Sequence, residues 1–236
     1  MYVKCLGSGS KQGNCYALTD NDGKILLLDC GISLKDIKSG IGFKVSNIVG
    51  CLISHSHTDH SKSADDLRRM GVNVVTPYLG EVKDQSFGNF FVRYFSLVDA
   101  LGHFVHSNGD SSECPIYGYL IMHDKEPLKL LYVTDCQFCK WRFTGVNNMI
   151  LGIDYADELV DENNRAKNLH IYSGHLELNT ACDFIRETDR EHTLNNVIVG
   201  HLSDSASDRG LFRERLEKAT YSAIHFAKKG ETYELM

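Results

Sequence analysis

Residues 55–60 read His-Ser-His-Thr-Asp-His and directly follow the apolar segment from Ile48 to Ser54. Four potential metal ligands therefore fall within six positions at the end of a predicted strand, where the active sites of α/β proteins lie. Because imidazoles so close in sequence crowd one another around a single ion, two adjacent cations accommodate them better. Imidazole suits zinc, iron, nickel or manganese, and a neighbouring carboxylate favours the harder metals. The segment predicts a metal centre.

Short apolar runs alternate with turns and helical stretches along the whole chain. Many strands with fewer helices favour two β-sheets flanked by helices over a bundle or a barrel. The predicted strands are Tyr2 to Leu6, Tyr16 to Thr19, Ile25 to Asp29, Ile48 to Ser54, Val72 to Thr76, Phe90 to Phe95, His103 to His106, Ile116 to Met122, Lys129 to Thr134, Met149 to Ile153, Asn168 to Tyr172 and Asn196 to Val199, with a terminal hairpin of Ala223 to Ala227 and Glu231 to Leu235. The predicted helices are Ser61 to Met70, Tyr155 to Lys167, Thr180 to Thr188, with Asn179 as its N-cap, and Asp208 to Thr220.

Length and composition limit the organisation of the chain and its partners. The 236 residues are 42% hydrophobic and 24% charged, which suits a folded domain of ordinary size. No linker-like tract divides the sequence, so we expect one domain over residues 1–236. The formal net charge of −6 excludes a strongly basic nucleic-acid-binding protein, but it allows a locally basic groove.

The eight cysteines are best explained as free thiols in a reducing cytosol. The N-terminus has no secretory signal pattern, and no apolar run is long enough to cross a membrane, so we expect a cytoplasmic protein. Cys136 and Cys139 have CxxC spacing, but a zinc knuckle needs a second pair, and we expect both in the core. The segment Gly7 to Gly13 matches no nucleotide-binding fingerprint, and we interpret it as a turn between strands.

The string from His55 to His60 after an apolar strand resembles the metallo-β-lactamase fold superfamily of binuclear hydrolases. Three further strings strengthen the resemblance, which covers nearly the whole chain: Leu26-Leu-Leu-Asp29-Cys-Gly31, Leu131-Tyr-Val-Thr-Asp135 and Val197-Ile-Val-Gly-His201-Leu-Ser. The implied fold is an α/β, αββα four-layer sandwich of two mixed β-sheets flanked by helices.

One branch of the superfamily is resembled in particular. The opening Gly7-Ser-Gly-Ser-Lys-Gln-Gly-Asn-Cys-Tyr, together with Gly174-His175-Leu and His201-Leu-Ser, is similar to the YycJ/WalJ-like branch, which is related to tRNase Z and contains DNA exonucleases. The chain departs from the family in two places. Eleven residues separate His106 from Gly118, which suggests an inserted lip over the site that includes the long loop Ser107 to Pro115, and Asp154 stands where the branch more often carries Glu.

The resemblance implies a ligand set for two divalent cations, zinc or manganese, with iron and nickel as alternatives. The first ion takes two histidines of the motif and a third histidine, which is either His103 or His106. His106 is favoured because it ends its apolar run just before a turn. Asp29 is expected to contact the residues of the motif and to support them without binding a metal itself. The implied ligands are His55, His57 and His106 for the first ion, Asp59, His60 and His201 for the second, and Asp135 as the bridge.

The resemblance also implies hydrolysis of a phosphodiester by a hydroxide that the two cations share. Asp59 would orient this nucleophile in addition to binding metal. His175 either contacts the scissile phosphate or protonates the leaving oxygen, and its alternative is a structural histidine.

DNA is the substrate that the branch implies, so cationic and aromatic residues near the motifs are candidate contacts. One alternative keeps both metals but changes the substrate to a small cyclic phosphodiester, a lactone or a thioester. Another is a catalytically silent module, against which the number of ligands argues, because a structural site needs only four. The candidate DNA contacts are Arg68, Arg69, the segment Trp141-Arg142-Phe143, Arg165 and Lys167.

Overall fold

A computed structural model describes residues 1–80, 83–107, 112–161, 163, 168, 171–172 and 174–235. The chain divides into two compact units. The first comprises Met1–Tyr94, Ile121–Leu128 and Ala227–Met236, and the second comprises Phe95–Leu120 and Lys129–Phe226. The expectation of one domain over residues 1–236 stays a prediction.

The first unit contains a six-stranded mixed sheet with the order β13-β1-β2-β3-β4-β5. In this order, the neighbouring strands β13, β1, β2 and β3 pair antiparallel. The pairs β3–β4 and β4–β5 are parallel. The three helices of this unit are short, and two of them place Ile37 and Leu67 in the same apolar core under the sheet. The strands are β1 (Tyr2–Gly7), β2 (Cys15–Thr19), β3 (Ile25–Leu28), β4 (Ile48–Leu52), β5 (Val74–Val75) and β13 (Thr232–Glu234), and the helices are α1 (Leu34–Gly40), α2 (Thr58–Ser61) and α3 (Ala64–Arg69).

A seven-stranded sheet has the order β12-β11-β10-β9-β8-β7-β6. Its strands β9 to β12 are parallel to one another and lie in the second unit, whereas β6 and β7 are antiparallel. Every residue of β10 and β11 is buried, as expected for parallel strands covered on both faces. The strands are β6 (Gln85–Phe87), β7 (Phe90–Ser96), β8 (Tyr117–His123), β9 (Lys129–Val133), β10 (Asn148–Gly152), β11 (Asn196–Gly200) and β12 (Ala223–Phe226).

Two helices of the second unit, α4 (Leu178–Thr188) and α5 (Arg209–Glu217), pack on the core of that unit. Buried apolar side chains recur at helical spacing in α4, which makes the helix amphipathic. Its N-cap is Glu177, whose carboxylate accepts hydrogen bonds from two backbone amides of the first turn. The predicted N-cap Asn179 is therefore wrong, because the helix already begins at Leu178 and the amide of Asn179 itself donates to Glu177. Three-residue 3₁₀ helices occur at Val45–Asn47, Pro77–Leu79 and Asp157–Leu159.

The prediction of two mixed sheets flanked by helices is confirmed. The turn over Gly7 to Gly13 is also confirmed, since it joins β1 to β2 and is closed by a hydrogen bond from Gly13 N to Gly9 O of 2.9 Å. All eight cysteines are buried free thiols. Burial raises the pKa of the Cys136 thiol, and it raises that of Cys139 to about 12, so both behave as core side chains.

Several predicted elements are wrong. The terminal hairpin does not form, because β12 pairs with β11 and β13 pairs with β1, so long-range partners outweigh the local turn signal. Residues 103–106 do not form a strand, and within them only Phe104 makes an isolated bridge, to Val98. Asn168, Ile171 and Tyr172 are helical rather than extended. Of the predicted helix from Tyr155 to Lys167, the described part shows one 3₁₀ turn, and residues 162 and 164–167 lie outside the described residues, as do 108–111 of the predicted lip.

Among the described residues, no helix is both long and apolar enough to cross a membrane. The predicted cytoplasmic location stays a prediction.

Candidate metal centre

The parallel pair β3 and β4 brings the His-rich motif of the first unit next to Asp29. Leu28 and Leu52 are register partners, so the residues that follow them leave the sheet at the same edge. Asp29 accepts hydrogen bonds from the amide nitrogen and the hydroxyl of Ser54, at 2.7 and 3.0 Å. These contacts hold Asp29 against the residue that directly precedes the His-rich motif.

Asp29 also fixes the protonation pattern of His60, which is fully buried. The Nδ1 atom of His60 lies 2.7 Å from Asp29 Oδ2. Because a carboxylate only accepts, Nδ1 carries the hydrogen and Nε2 carries the lone pair, which is the tautomer required of an Nε2 metal ligand. The amide Nδ2 of Asn14, 2.9 Å from His60 Nε2, is a donor to that lone pair and agrees with this assignment.

The three histidines of the motif form one cluster. The ring centroid of His55 lies 4.6 Å from that of His57 and 4.2 Å from that of His60. His57 is the N-cap of α2, and Asp59 and His60 lie in its first turn. The short helix thereby turns Asp59 and His60 back toward the strand end, and Asp59 Oδ2 lies 3.5 Å from His60 Nε2.

The glycine-rich turn packs against the backbone of the motif. Asn14 N donates to Asp59 O at 2.7 Å, and Gly31 N donates to Asn14 O at 2.8 Å. A Cβ at Gly31 would lie 1.6 Å from Asp59 O. Gly31 therefore approaches the motif at a distance that only glycine permits, and Asn14 links the turn to both of them.

Replacing Gly31 with alanine should destabilise the fold, because the added methyl group overlaps backbone that cannot move independently. We expect a loss of about 2–4 kcal/mol in the free energy of unfolding, measured by denaturant unfolding. Gly80→Ala is the matched control, since no atom lies within 4 Å of its Cβ position. Equal stability of both variants would contradict the described packing.

In the second unit, three parallel strands deliver acidic and imidazole side chains to one edge. β9, β10 and β11 end just before Asp135, Asp154 and His201. Asp135 and His201 have positive φ angles of 49° and 56°, and Asp29 in the first unit has 56°. Such backbone costs about 1–3 kcal/mol per residue and concentrates at functional sites. At these three positions the backbone is locally unfavourable, and the side chain gains a direction that the ordinary strand conformation would not give it.

Asp154 lies at the centre of this second cluster. Its Oδ1 lies 2.5 Å from His201 Nδ1 and 3.0 Å from His175 Nδ1, and its Oδ2 accepts from Leu176 N at 3.2 Å. Asp135 Oδ1 lies 2.9 Å from His201 Nδ1. Ligand atoms of Asp135, Asp154, His175 and His201 all lie within 4.8 Å of one another.

The carboxylates control the charge of the histidines in this cluster. Burial opposes protonation of His175, but the charges of Asp154 and Asp135 outweigh it and raise the pKa of His175 to about 9. Burial likewise opposes protonation of His201, and the same two carboxylates raise the pKa of this group well above its usual value. The charges of the two carboxylates therefore favour the protonated form of both histidines in the chain itself.

His106 and His103 differ sharply in environment. His106 is buried, and its Nδ1 donates to Gly174 O at 3.0 Å, so Nε2 carries the lone pair. Its ring centroid lies 5.9 Å from that of His175. The side chain of His103 is 61% exposed and lies 3.4 Å from Asp99. The structure thus places His106, and not His103, beside the other candidate residues of the second unit.

The donor set fits divalent metal ions. Each unit presents buried imidazoles next to carboxylates, and the Nδ1 contacts of His60 and His106 fix the tautomer of a metal ligand. Two contributors were not predicted as site residues. Asn14 follows a glycine turn with no metal-ligand signal, and Asp154 was noted only as a departure from the branch, although it follows a buried strand in the same way as Asp135.

Several of the residues predicted to contact a nucleic acid interact with neighbouring protein groups instead. Arg68 and Arg69 pair with Asp65 and Asp66 on their own helix, at 2.8 and 2.9 Å. Trp141 is partly exposed, and its Nε1 donates to Ser96 O at 2.7 Å. Arg165 and Lys167 lie outside the described residues.

Comparisons with known proteins agree with this architecture. A family model described as the metallo-β-lactamase superfamily matches residues 9–96. The metallo-β-lactamase fold protein YhfI of Bacillus subtilis is similar over 98% of both chains, with a TM-score of 0.70 and 13% identity. This chain has the metallo-β-lactamase fold. The short form of human tRNase Z shares the metallo-β-lactamase fold over 100% of both chains, with a TM-score of 0.61 and 16% identity.

A curated relative is similar over a shorter segment. The anti-Pycsar protein Apyc1 of Paenibacillus harenae is 41% identical over 64 residues. That segment is 25% of this chain, and it spans 27% of the length of the relative.

Replacing Asp29 with asparagine should weaken metal binding by about 10–100-fold, as is typical for residues that orient a metal ligand. The asparagine keeps the volume of the side chain, but it removes the charge that holds His60 in its ligand tautomer. Isothermal titration of the stripped protein with zinc measures the change. Asp22→Asn is the control, because Asp22 is an exposed partner of Lys125. Wild-type affinity in Asp29→Asn would contradict the role of Asp29.

Proposed function

We propose that this chain is a metal-dependent phosphodiester hydrolase with two divalent cations, zinc or manganese, at its centre. The observation that carries the proposal is the matched pair of preorganised clusters. Each has histidines whose Nδ1 atoms are held by protein oxygens and carboxylates placed by strand ends. Iron and nickel are compatible with the same donors. The proposed ligands are His55, His57 and His106 for one ion, Asp59, His60 and His201 for the other, and Asp135 for both.

The chain itself supplies positioning and proton transfer. Two cations, when bound, would provide a hydroxide at neutral pH and neutralise the charge of the phosphate. Asp59 would hold one cation through one carboxylate oxygen and would orient the attacking water through the other. His175 either contacts the phosphate or delivers a proton to the leaving oxygen in this proposal, which is supported by the 3.0 Å distance between its Nδ1 atom and Asp154 Oδ1.

Linear DNA is the first candidate substrate. The branch that the sequence resembles contains DNA exonucleases, and one solved structure with the same fold is a tRNase Z. The partly exposed ring of Trp141 supports contact with a nucleobase. In this proposal the chain removes nucleotides from an end of DNA, as the YycJ/WalJ-like branch implies.

A small phosphodiester is the second candidate, and one observation favours it. Arg68 and Arg69, two of the residues expected to contact a long nucleic acid, are paired with acidic neighbours on the same helix. A net charge of −6 further weakens attraction to a polyanion. A cyclic nucleotide needs fewer cationic contacts than a DNA strand.

A panel of substrates tests the proposal. Metal-loaded protein is assayed with linear DNA, a cyclic mononucleotide, bis(p-nitrophenyl) phosphate, a lactone and a thioester. We expect hydrolysis of the phosphodiesters, abolished by a chelator and restored by zinc or manganese. Preference for DNA or for the cyclic nucleotide decides between the two candidates. Activity confined to the lactone or the thioester would contradict a phosphodiesterase.

A further inference from the structure

Tyr172 is a large aromatic side chain that the proposed reaction leaves without a role. Its surface is 44% exposed, although two contacts hold it in place. The ring packs against that of Tyr155, with centroids 5.6 Å apart and an angle of 69°. The backbone carbonyl accepts a hydrogen bond from Nε2 of Gln137. Tyr172 is therefore a fixed aromatic ring that is open to solvent.

Both contacts tie Tyr172 to the carboxylate–histidine cluster of the second unit. Tyr155 directly follows Asp154, and Gln137 lies two residues after Asp135. Tyr172 also lies two residues before Gly174, whose carbonyl holds His106. Tyr172 is therefore in contact with the chain neighbours of residues that we assign to the metals, through its ring to Tyr155 and through its carbonyl to Gln137.

We propose that Tyr172 is a specificity-determining residue that stacks on a nucleobase of the substrate. This inference rests on the proposed phosphodiesterase function and names its substrate class as nucleotide esters. Every base has a π-face, so an exposed and immobilised ring next to the phosphate site favours nucleotides over simple diesters without selecting one base. The packing of Tyr172 on Tyr155 lowers the entropy that stacking would otherwise cost.

Two esters with the same leaving group separate base recognition from chemistry. Thymidine 5′-(p-nitrophenyl) phosphate carries a base, and methyl p-nitrophenyl phosphate does not. For Tyr172→Ala we expect the KM for the thymidine ester to rise about 5- to 100-fold, as for loss of one stacking contact. The kcat for this ester and both constants for the methyl ester should stay within about twofold of wild type.

Two further variants control the experiment. Tyr172→Phe keeps the ring and should behave as wild type with both esters. Tyr221→Ala removes a tyrosine that is 93% exposed and precedes β12 at the amino end of the parallel strands, away from the cluster, and it should also behave as wild type. Quenching of 2-aminopurine monophosphate fluorescence by the metal-free protein reports stacking directly, and only Tyr172→Ala should reduce it.

The outcomes distinguish this inference from the function on which it rests. Turnover of both esters by wild type, with equal effects of Tyr172→Ala on the two, would overturn the stacking role and leave the phosphodiesterase standing. Turnover of neither ester by metal-loaded wild type would overturn both.

Discussion

Asp59→Ala should lower phosphodiester hydrolysis by about 10²–10⁴-fold, the contribution of a group that orients or activates the nucleophile. The fold should persist, because the side chain of Asp59 is 25% exposed and its removal leaves little buried void. Its backbone contacts to Asn14 involve main-chain atoms that alanine keeps. Steady-state turnover of bis(p-nitrophenyl) phosphate and thermal unfolding measure the two effects.

Asp65→Asn is the matched control for Asp59→Ala. Asp65 is an exposed acid on the next helix, and its pair with Arg68 contributes at most about 1 kcal/mol. This variant should retain wild-type turnover. Unchanged turnover in Asp59→Ala would refute the assignment of Asp59.

Asp135→Asn should abolish hydrolysis and reduce the metal content from two ions per chain to one or none. Asparagine preserves the volume of this buried side chain, but it carries no negative charge and replaces one of the two carboxylate oxygens with an NH₂ group. The loss of activity should exceed the loss of about 10–100-fold that is typical when a residue that hydrogen-bonds to a metal ligand is replaced. Elemental analysis together with turnover measures both effects.

Asp183→Asn is the control for Asp135→Asn, because Asp183 is an exposed acid of the same unit that pairs with Arg186. It should keep two ions and full activity. Two ions per chain in Asp135→Asn would contradict a bridging role.

Local patterns in the sequence predict most of the fold. The buried strands β3, β4, β9, β10 and β11 are apolar runs bounded by polar residues, so their positions follow from composition. The motif from His55 to His60 lies at a strand end, where sequence reasoning places it. These elements are predictable because burial and local conformation favour the same structure.

The remaining features depend on distant parts of the chain. The segment Ala223 to Leu235 has the pattern of a hairpin, but its strands join different sheets, which no local signal specifies. Asn14 reaches His60 only because a glycine turn lies against Gly31. Asp154 contacts His175 and His201, which lie about 20 and 50 residues later in the sequence. Contacts between residues so far apart in the chain cannot be predicted from a local sequence pattern.

The most direct test of a binuclear centre is the metal content of freshly purified protein that has not been exposed to a chelator. Inductively coupled plasma mass spectrometry should find two equivalents of zinc or manganese, or of iron or nickel, per chain. Absence of a transition metal from such protein, if it nevertheless hydrolyses phosphodiesters, would contradict the account.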